Sequence, residues 1–280
     1  MLRKVSVLAA ALALLAGPAL ASGGAKEPKN YDFSFEGAFG TFDKAQLQRG
    51  YKVYREVCSA CHSMSLLSFR NLGQPGGPFF DEHYKNPNDN PYAKAIAAEY
   101  QINDIDSETG DVIQRPGTTA DRFPAPFPNE AAARASNGGA LPPDLSVMAK
   151  ARPGGAAYLA SLLSGYVAPP AGLTVPAGQY YNPYMAGDVS SAWTGDPHHV
   201  PQGGFIAMPP QLAPEKVTFD DGTPSTIDNQ AKDVAAFLMW AAEPKLEERK
   251  RLGFSVMIYL LLFTGLLYAS YRRVWRNESH

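Results

Sequence analysis

Apolar positions along this chain fall into blocks, and the spacing inside each block differs. The first runs from Val5 to about Ala16 with Ser6 as its one polar residue, behind Arg3 and Lys4 and ahead of Ala19-Leu20-Ala21. A charged start, a run too short to cross a bilayer and small residues behind it predict a secretory signal over residues 1–21. The second block recurs at three- and four-residue steps, at Leu47, Tyr51, Tyr54 and Cys58, and predicts a helix through FDKAQLQRGYKVYREV. A third has the same period, at Ala231, Val234, Ala235 and Leu238. Ser225 with Asp228 predicts a capping-box start for it, and Pro244 its end. The last block, LGFSVMIYLLLFTGLLYASY from Leu252 to Tyr271, carries no charge. At ~1.5 Å per residue it matches the roughly 30 Å hydrocarbon core, and Tyr268, Tyr271 and Trp275 suit the headgroup level at one end.

Together these blocks divide the chain into a signal (1–21), an exported domain (22–251), a transmembrane anchor (252–271) and a short tail (272–280). Basic residues flank the anchor on both sides, with Arg249, Lys250 and Arg251 before it and Arg272, Arg273 and Arg276 after it. The signal therefore sets the orientation, with the domain outside the cytoplasmic membrane and the tail in the cytoplasm. Without residues 1–21 and 272–280, 20 Lys and Arg stand against 26 Asp and Glu, a net charge of −6, which argues against a nucleic-acid partner. The 25 Gly and 24 Pro concentrate between Arg115 and Pro214 and predict a loop-rich region.

Both cysteines of the chain, Cys58 and Cys61, lie in EVCSACHSM with His62 directly behind them. A disulfide closing so small a loop would constrain the unfolded chain least. A thioredoxin-like pair should follow a strand, whereas the preceding segment reads as a helix. Structural zinc requires four N or S ligands, and no second cysteine pair exists. C-x-x-C-H in an exported chain therefore points to haem c, with two thioethers on the cysteines and the His62 imidazole on the iron.

Two strong axial ligands favour electron transfer, and one favours binding or activation of small molecules. For the sixth position, Met64 is too close to His62 in sequence to reach the opposite haem face. Met148 and Met239 have helix-like surroundings that suit core packing, Met257 lies in the anchor, and His83, His198 and His199 lie in polar loops. Met185 in YYNPYMAGD and Met208 in GGFIAMPPQL remain. Met208 is preferred, because Pro209 and Pro210 fix φ and stiffen the segment behind it.

These segments resemble the cytochrome c1 family, the haem-bearing subunit of quinol–cytochrome c reductases, in its bacterial form. The resemblance covers nearly the whole mature chain. It is carried by FSFEGAFGTFDKAQLQRGYKVYREVCSACHSM, RPGTTADRFPAPFPNEAAARASNGGALPPDLS, YYNPYMAGD, IAMPPQL and FDDGTPSTIDNQAKDVAAFLMWAAEPK. It implies a mainly α, cytochrome c-like haem domain with long loop insertions and one C-terminal transmembrane helix. It implies one covalent haem c on Cys58 and Cys61, His62 and Met208 as axial ligands, and Arg134 near a haem propionate. Some bacterial relatives carry a further cysteine pair before the distal methionine. This chain has none, so packing must steady that region.

The resemblance also implies a one-electron carrier rather than an enzyme by itself. It would receive electrons from a Rieske iron–sulfur protein, sit beside cytochrome b, and pass electrons to a soluble or membrane-bound cytochrome c. The competing readings are a haem peroxidase and a gas-binding protein, each needing an open or displaceable sixth position. One further stretch, EYQINDIDSETGD, carries Glu99, Asp104, Asp106, Glu108 and Asp111 without a basic residue. Such runs are usually solvated loops, but the domain's net charge of −6 and the cationic cytochrome c that the resemblance implies predict a docking surface here, with Asp104, Asp106 and Glu108 as its test.

Overall fold

The computed structural model describes residues 24–277, so the predicted signal lies outside the described residues. Contacts divide the chain into two compact units. Among the described residues the larger comprises 28–165 and 207–277, and the smaller comprises 24–27 and 166–206.

The larger unit is mainly helical. It holds α1 (Lys44–Val53), α2 (Pro91–Ala98), α3 (Glu130–Ser136), α4 (Gly155–Ser164), α5 (Ile227–Ala242) and α6 (Leu246–Val274), with a hairpin of β1 (Gln101–Ile105) and β2 (Val112–Pro116). The helix-period stripes in the sequence are the faces that meet: α5 packs against both α1 and α4. Leu47 and Tyr51 of α1 and Ala231, Val234, Ala235 and Leu238 of α5 are all buried. Gly50 sets how closely α1 and α5 approach, since a Cβ there would lie 2.0 Å from the carbonyl oxygen of Asp233. Beside this contact Asp233 accepts from Arg49 Nε at 2.7 Å and Gln46 Nε2 at 2.9 Å. A buried carboxylate is tolerated only when satisfied in this way. Aromatic side chains fill the centre, among them Tyr54, Phe69, Phe123, Phe237 and Trp240.

The start of α5 departs from expectation by one residue. Thr226, not Ser225, is the cap, accepting from the Asn229 N–H at 3.1 Å. The Ser225 hydroxyl and carbonyl instead accept from the buried Gln230 amide. The acidic stretch is the β1–β2 hairpin rather than an open loop, and α3 and α4 interrupt the predicted loop-rich region. Met148 lies in a turn rather than a helix, although it is buried in the core as expected. The anchor is part of one helix that begins at Leu246, ahead of the uncharged run, and it is the single described helix long and apolar enough to cross a membrane.

The smaller unit carries β3 (Tyr180–Asn182) paired antiparallel with β4 (Gly204–Ile206). Leu173, Tyr181 and Val189 form its core, with Val175, Ala192, Trp193, Val200 and Phe205 packed around them. Neither cysteine lies in it; its described residues are joined by this apolar packing and by main-chain pairing.

Candidate functional site

Where α1 ends, the backbone widens into one π-helical turn over Tyr54–Cys58, closed by the Ser59 N–H bonding the Tyr54 carbonyl at 2.8 Å. Such turns recur at functional sites because they re-aim the side chains that follow. The chain then tightens: Cys61 N–H and His62 N–H both bond the Cys58 carbonyl, at 3.1 and 2.9 Å. Cys58, Cys61 and His62 are therefore carried on one helical turn, and all three are half-buried.

The two thiols are not joined to each other. Burial, with Cys61 alongside, pushes the Cys58 thiol up to about 12. A thiol–disulfide redox pair needs the opposite shift, toward a stable thiolate.

His62 is fixed from a distant part of the sequence. Its Nδ1–H donates to the Pro143 carbonyl oxygen across 2.8 Å. Because a carbonyl only accepts, Nδ1 carries the proton and Nε2 is left with the lone pair. Burial lowers the His62 pKa, against the opposing pull of the Pro143 carbonyl and Asp144, and so favours the neutral ring that a metal requires.

The Pro143 segment is itself laced to the chain that follows His62. Leu145 N–H bonds the Ser63 carbonyl at 2.8 Å, and Leu66 N–H bonds Ser146 Oγ at 3.0 Å. Between them the Asp144 carboxylate accepts from Ser63 Oγ at 2.9 Å, Ser65 N–H at 2.8 Å and Ser146 N–H at 2.8 Å. Burial alone would raise this carboxyl, but the bonds from Ser146 and Ser65 outweigh it and hold the group well below the usual carboxylate range. Pro143 and Asp144 belong to the site without any mark in the local sequence. They stand about 80 positions from their partners, and a Pro-Pro-Asp-Leu-Ser run carries no local sign of them.

The remaining sulfur and imidazole groups separate cleanly. Met64 is fully buried in the core, Met148 is buried there too, and Met239 packs against it. His83 is exposed and paired with Asp81, and His199 is exposed and paired with Asp196. Met185 belongs to the smaller unit, in the turn after β3, where its N–H bonds the Asn182 carbonyl. Met208 is half-buried in a bend two residues past the end of β4 and belongs to the larger unit, with Cys58, Cys61 and His62. Arg134 lies in the last turn of α3, exposed, and one guanidinium N–H bonds the Gly139 carbonyl at 3.2 Å. That bond closes the loop behind its own helix.

This donor set fits a haem c. One turn presents two thiols at i and i+3, and beside them stands a neutral imidazole whose tautomer is already fixed. The family described as the Cytochrome C1 family matches residues 33–278. A cytochrome c1 of Rhodospirillum rubrum is 40% identical over 99% of this chain and 98% of its own length. One of Blastochloris viridis is 41% identical over 98% and 96%. A protein of Bradyrhizobium diazoefficiens named cytochrome b/c1 is 41% identical over 98% of this chain, which spans 40% of that longer protein.

Proposed function

Because the chain belongs to the cytochrome c1 family, we propose that it is the haem-bearing, membrane-anchored electron carrier of a quinol–cytochrome c reductase. The observation that carries this reading is the His62–Pro143 bond beside the two-cysteine turn, which leaves the Nε2 lone pair available to a metal. Cys58 and Cys61 would hold the group covalently, and His62 Nε2 and the Met208 thioether would supply its iron ligands. When bound, haem c supplies a one-electron couple, and a His/Met pair places that couple high. Membership of the larger unit supports Met208 over Met185. The assignment of Arg134 to a propionate rests on the family resemblance alone.

The electron donor is a Rieske iron–sulfur protein and the acceptor a cytochrome c, with cytochrome b beside α6 in the membrane. The sequence of the first 21 residues and the apolar run support a haem unit on the periplasmic face, with residues 22–251 outside and the tail within. The test is optical. Membranes containing the full chain should give the pyridine haemochrome of a doubly thioether-linked haem, one per chain. They should also give a low-spin ferric spectrum with the weak far-red band of methionine-to-iron ligation. A high-spin ferric spectrum would overturn the reading in favour of a peroxidase or gas-binding protein with an open sixth position.

A further inference from the structure

The loop between Phe35 and Phe42 is tied at both ends. Buried Phe33 stacks on buried Phe35 at 4.9 Å, and Phe35 lies 5.0 Å from Phe42, which roots the loop in the core. At the other side α6 grips it. Phe42 N–H bonds Glu247 Oε1 at 2.8 Å, and Lys250 Nζ donates to the carbonyls of Phe35 and Gly40 at 2.6 and 3.1 Å. Gly40 admits no side chain, since a Cβ would lie 1.9 Å from the Glu36 carbonyl oxygen. Leu246, the first residue of α6, is buried in the same core. Yet the crest of this braced loop holds Phe39, a residue 76% exposed.

Phe39 meets one residue of α6 edge-on: Phe254, at 5.4 Å between ring centroids. Phe254 is the third residue of the uncharged run, so at ~1.5 Å per residue it lies about 3 Å inside the apolar edge. With α6 spanning a bilayer, this puts Phe39 at the depth where headgroups give way to hydrocarbon. Beside it a cleft of about 790 Å³ opens between the loop, Gln74–Gly76 and the first turns of α6. Its walls include Phe39, Phe254 and Pro75, and Arg251 stands among the lining residues. Neighbouring charges are paired, Lys245 with Glu248 and Arg249 with Glu243, while Arg251 makes no ion pair among the described residues.

We infer that this cleft holds a glycerophospholipid of the surrounding bilayer, with its phosphate on Arg251 and acyl carbons against Phe39 and Phe254. The loop is then a second membrane contact that fixes the tilt of the haem unit on α6. A lipid fits better than a protein partner. The apolar surface here is one ring continuous with a lipid-facing helix, whereas a stable protein interface needs roughly 800 Å² per partner. The inference rests on α6 spanning the membrane, and its test separates the two.

The full chain, haem-loaded so that Cys58 and Cys61 cannot react, would carry one nitroxide in phosphatidylcholine–phosphatidylglycerol vesicles. Labels would be placed at Phe39→Cys, at Leu261→Cys in mid-span and at Val112→Cys on the hairpin. Relaxation by oxygen, which enters lipid, is compared with relaxation by a nickel chelate, which stays in water. The Phe39 label should favour oxygen several-fold over the Val112 label. A Phe39 label as open to the chelate as the Val112 label overturns the inference, and so does one shielded from both reagents, which would mean a protein covers the loop. A Leu261 label open to the chelate instead overturns the span itself. For the phosphate contact, native mass spectrometry should show one phospholipid retained by the wild type and about tenfold less retention in Arg251→Gln. Equal retention in both removes Arg251 from the site.

Discussion

His62 donates its Nδ1–H to the carbonyl oxygen of Pro143 across 2.8 Å, joining two segments 81 residues apart. The bond fixes the ring's tautomer and makes Nε2 a better electron donor, in the manner of partners behind metal-bound histidines. Its geometry depends on the next residue, because Asp144 ties the Pro143 segment to Ser63 and Ser65.

Asp144→Asn should therefore keep covalent haem and the far-red methionine band while changing the His62 environment. Asparagine cannot accept from Ser63, Ser65 and Ser146 with the strength of a carboxylate, and the nearby negative charge is gone. Both losses disfavour ferric iron, so the midpoint potential should rise, by roughly 30–60 mV at 59 mV per tenfold change for one electron. Ser63→Ala, which removes a single donor, should shift it less and in the same direction. A redox titration with paramagnetic resonance of the ferric haem checks both, since the resonance also reports the imidazole's orientation.

Axial ligation is tested by a pair of leucine variants. Met208→Leu should retain the thioether-linked haem, lose the far-red band and drop the potential by more than ~100 mV, within the ~0.8 V range that axial ligands control. Met185→Leu, in the smaller unit, should leave both nearly unchanged. Optical spectra and potentials of the two variants decide the assignment, and the reverse pattern would transfer the ligand to Met185.

What could be read from the chain in advance follows the range of each signal. The α1 and α5 stripes, the anchor and the two-cysteine turn are written in residues one to four positions apart, where helical periodicity and motif spacing operate. The Asp144 clasp, the Gly50 contact with Asp233 and the Phe39–Phe254 pair join residues far apart in sequence, so no local pattern announces them. The acidic run is the instructive middle case. Its composition was plain, but Arg115 lies on the opposite strand of a hairpin and is invisible until the register of β1 against β2 is known.

That register also places an ion-pair cluster at the base of the hairpin. Arg115 bonds Asp121 through Nη1 at 2.7 Å and Nη2 at 2.9 Å, and Thr118 adds its N–H and hydroxyl. Arg115 first, and Thr118 after it, hold the Asp121 carboxyl well below the usual carboxylate range despite partial burial. A lowered folded-state pKa contributes stability above the unfolded value of ~3.9 and loses it as pH falls through the folded one. Asp121→Asn should lower Tm at pH 7 by ~2–4 °C. The deficit should shrink as the pH is taken below about 4, where the wild type gives up the same contribution. Melting curves of both proteins across that range supply the check.

The docking prediction rests on the hairpin tip. Asp104 is paired with Arg115 at 2.6 Å and Glu99 with Arg55 at 3.0 Å, so neither presents a bare charge to a partner. Asp106, Glu108 and Asp111 at the tip have no ion-pair partner among the described residues, and Ile105 and Val112 stand exposed beside them as a register pair. An acidic rim around a small apolar patch suits a cationic electron acceptor, with the charges steering encounter and the patch making contact. Exposed charges are screened over about 8–10 Å at physiological salt, so their effect belongs to the association rate at low ionic strength. Neutralising Asp106, Glu108 and Asp111 together should slow electron transfer to a cationic cytochrome c by roughly tenfold at low salt, within the range steering controls. The difference should fade as salt rises, with the haem potential unchanged. Asp104→Asn alone should barely change the low-salt rate but should loosen the hairpin base. Stopped-flow oxidation of the reduced protein across a salt series distinguishes the two, and an unaltered low-salt rate in the triple variant would remove the hairpin tip from the docking surface.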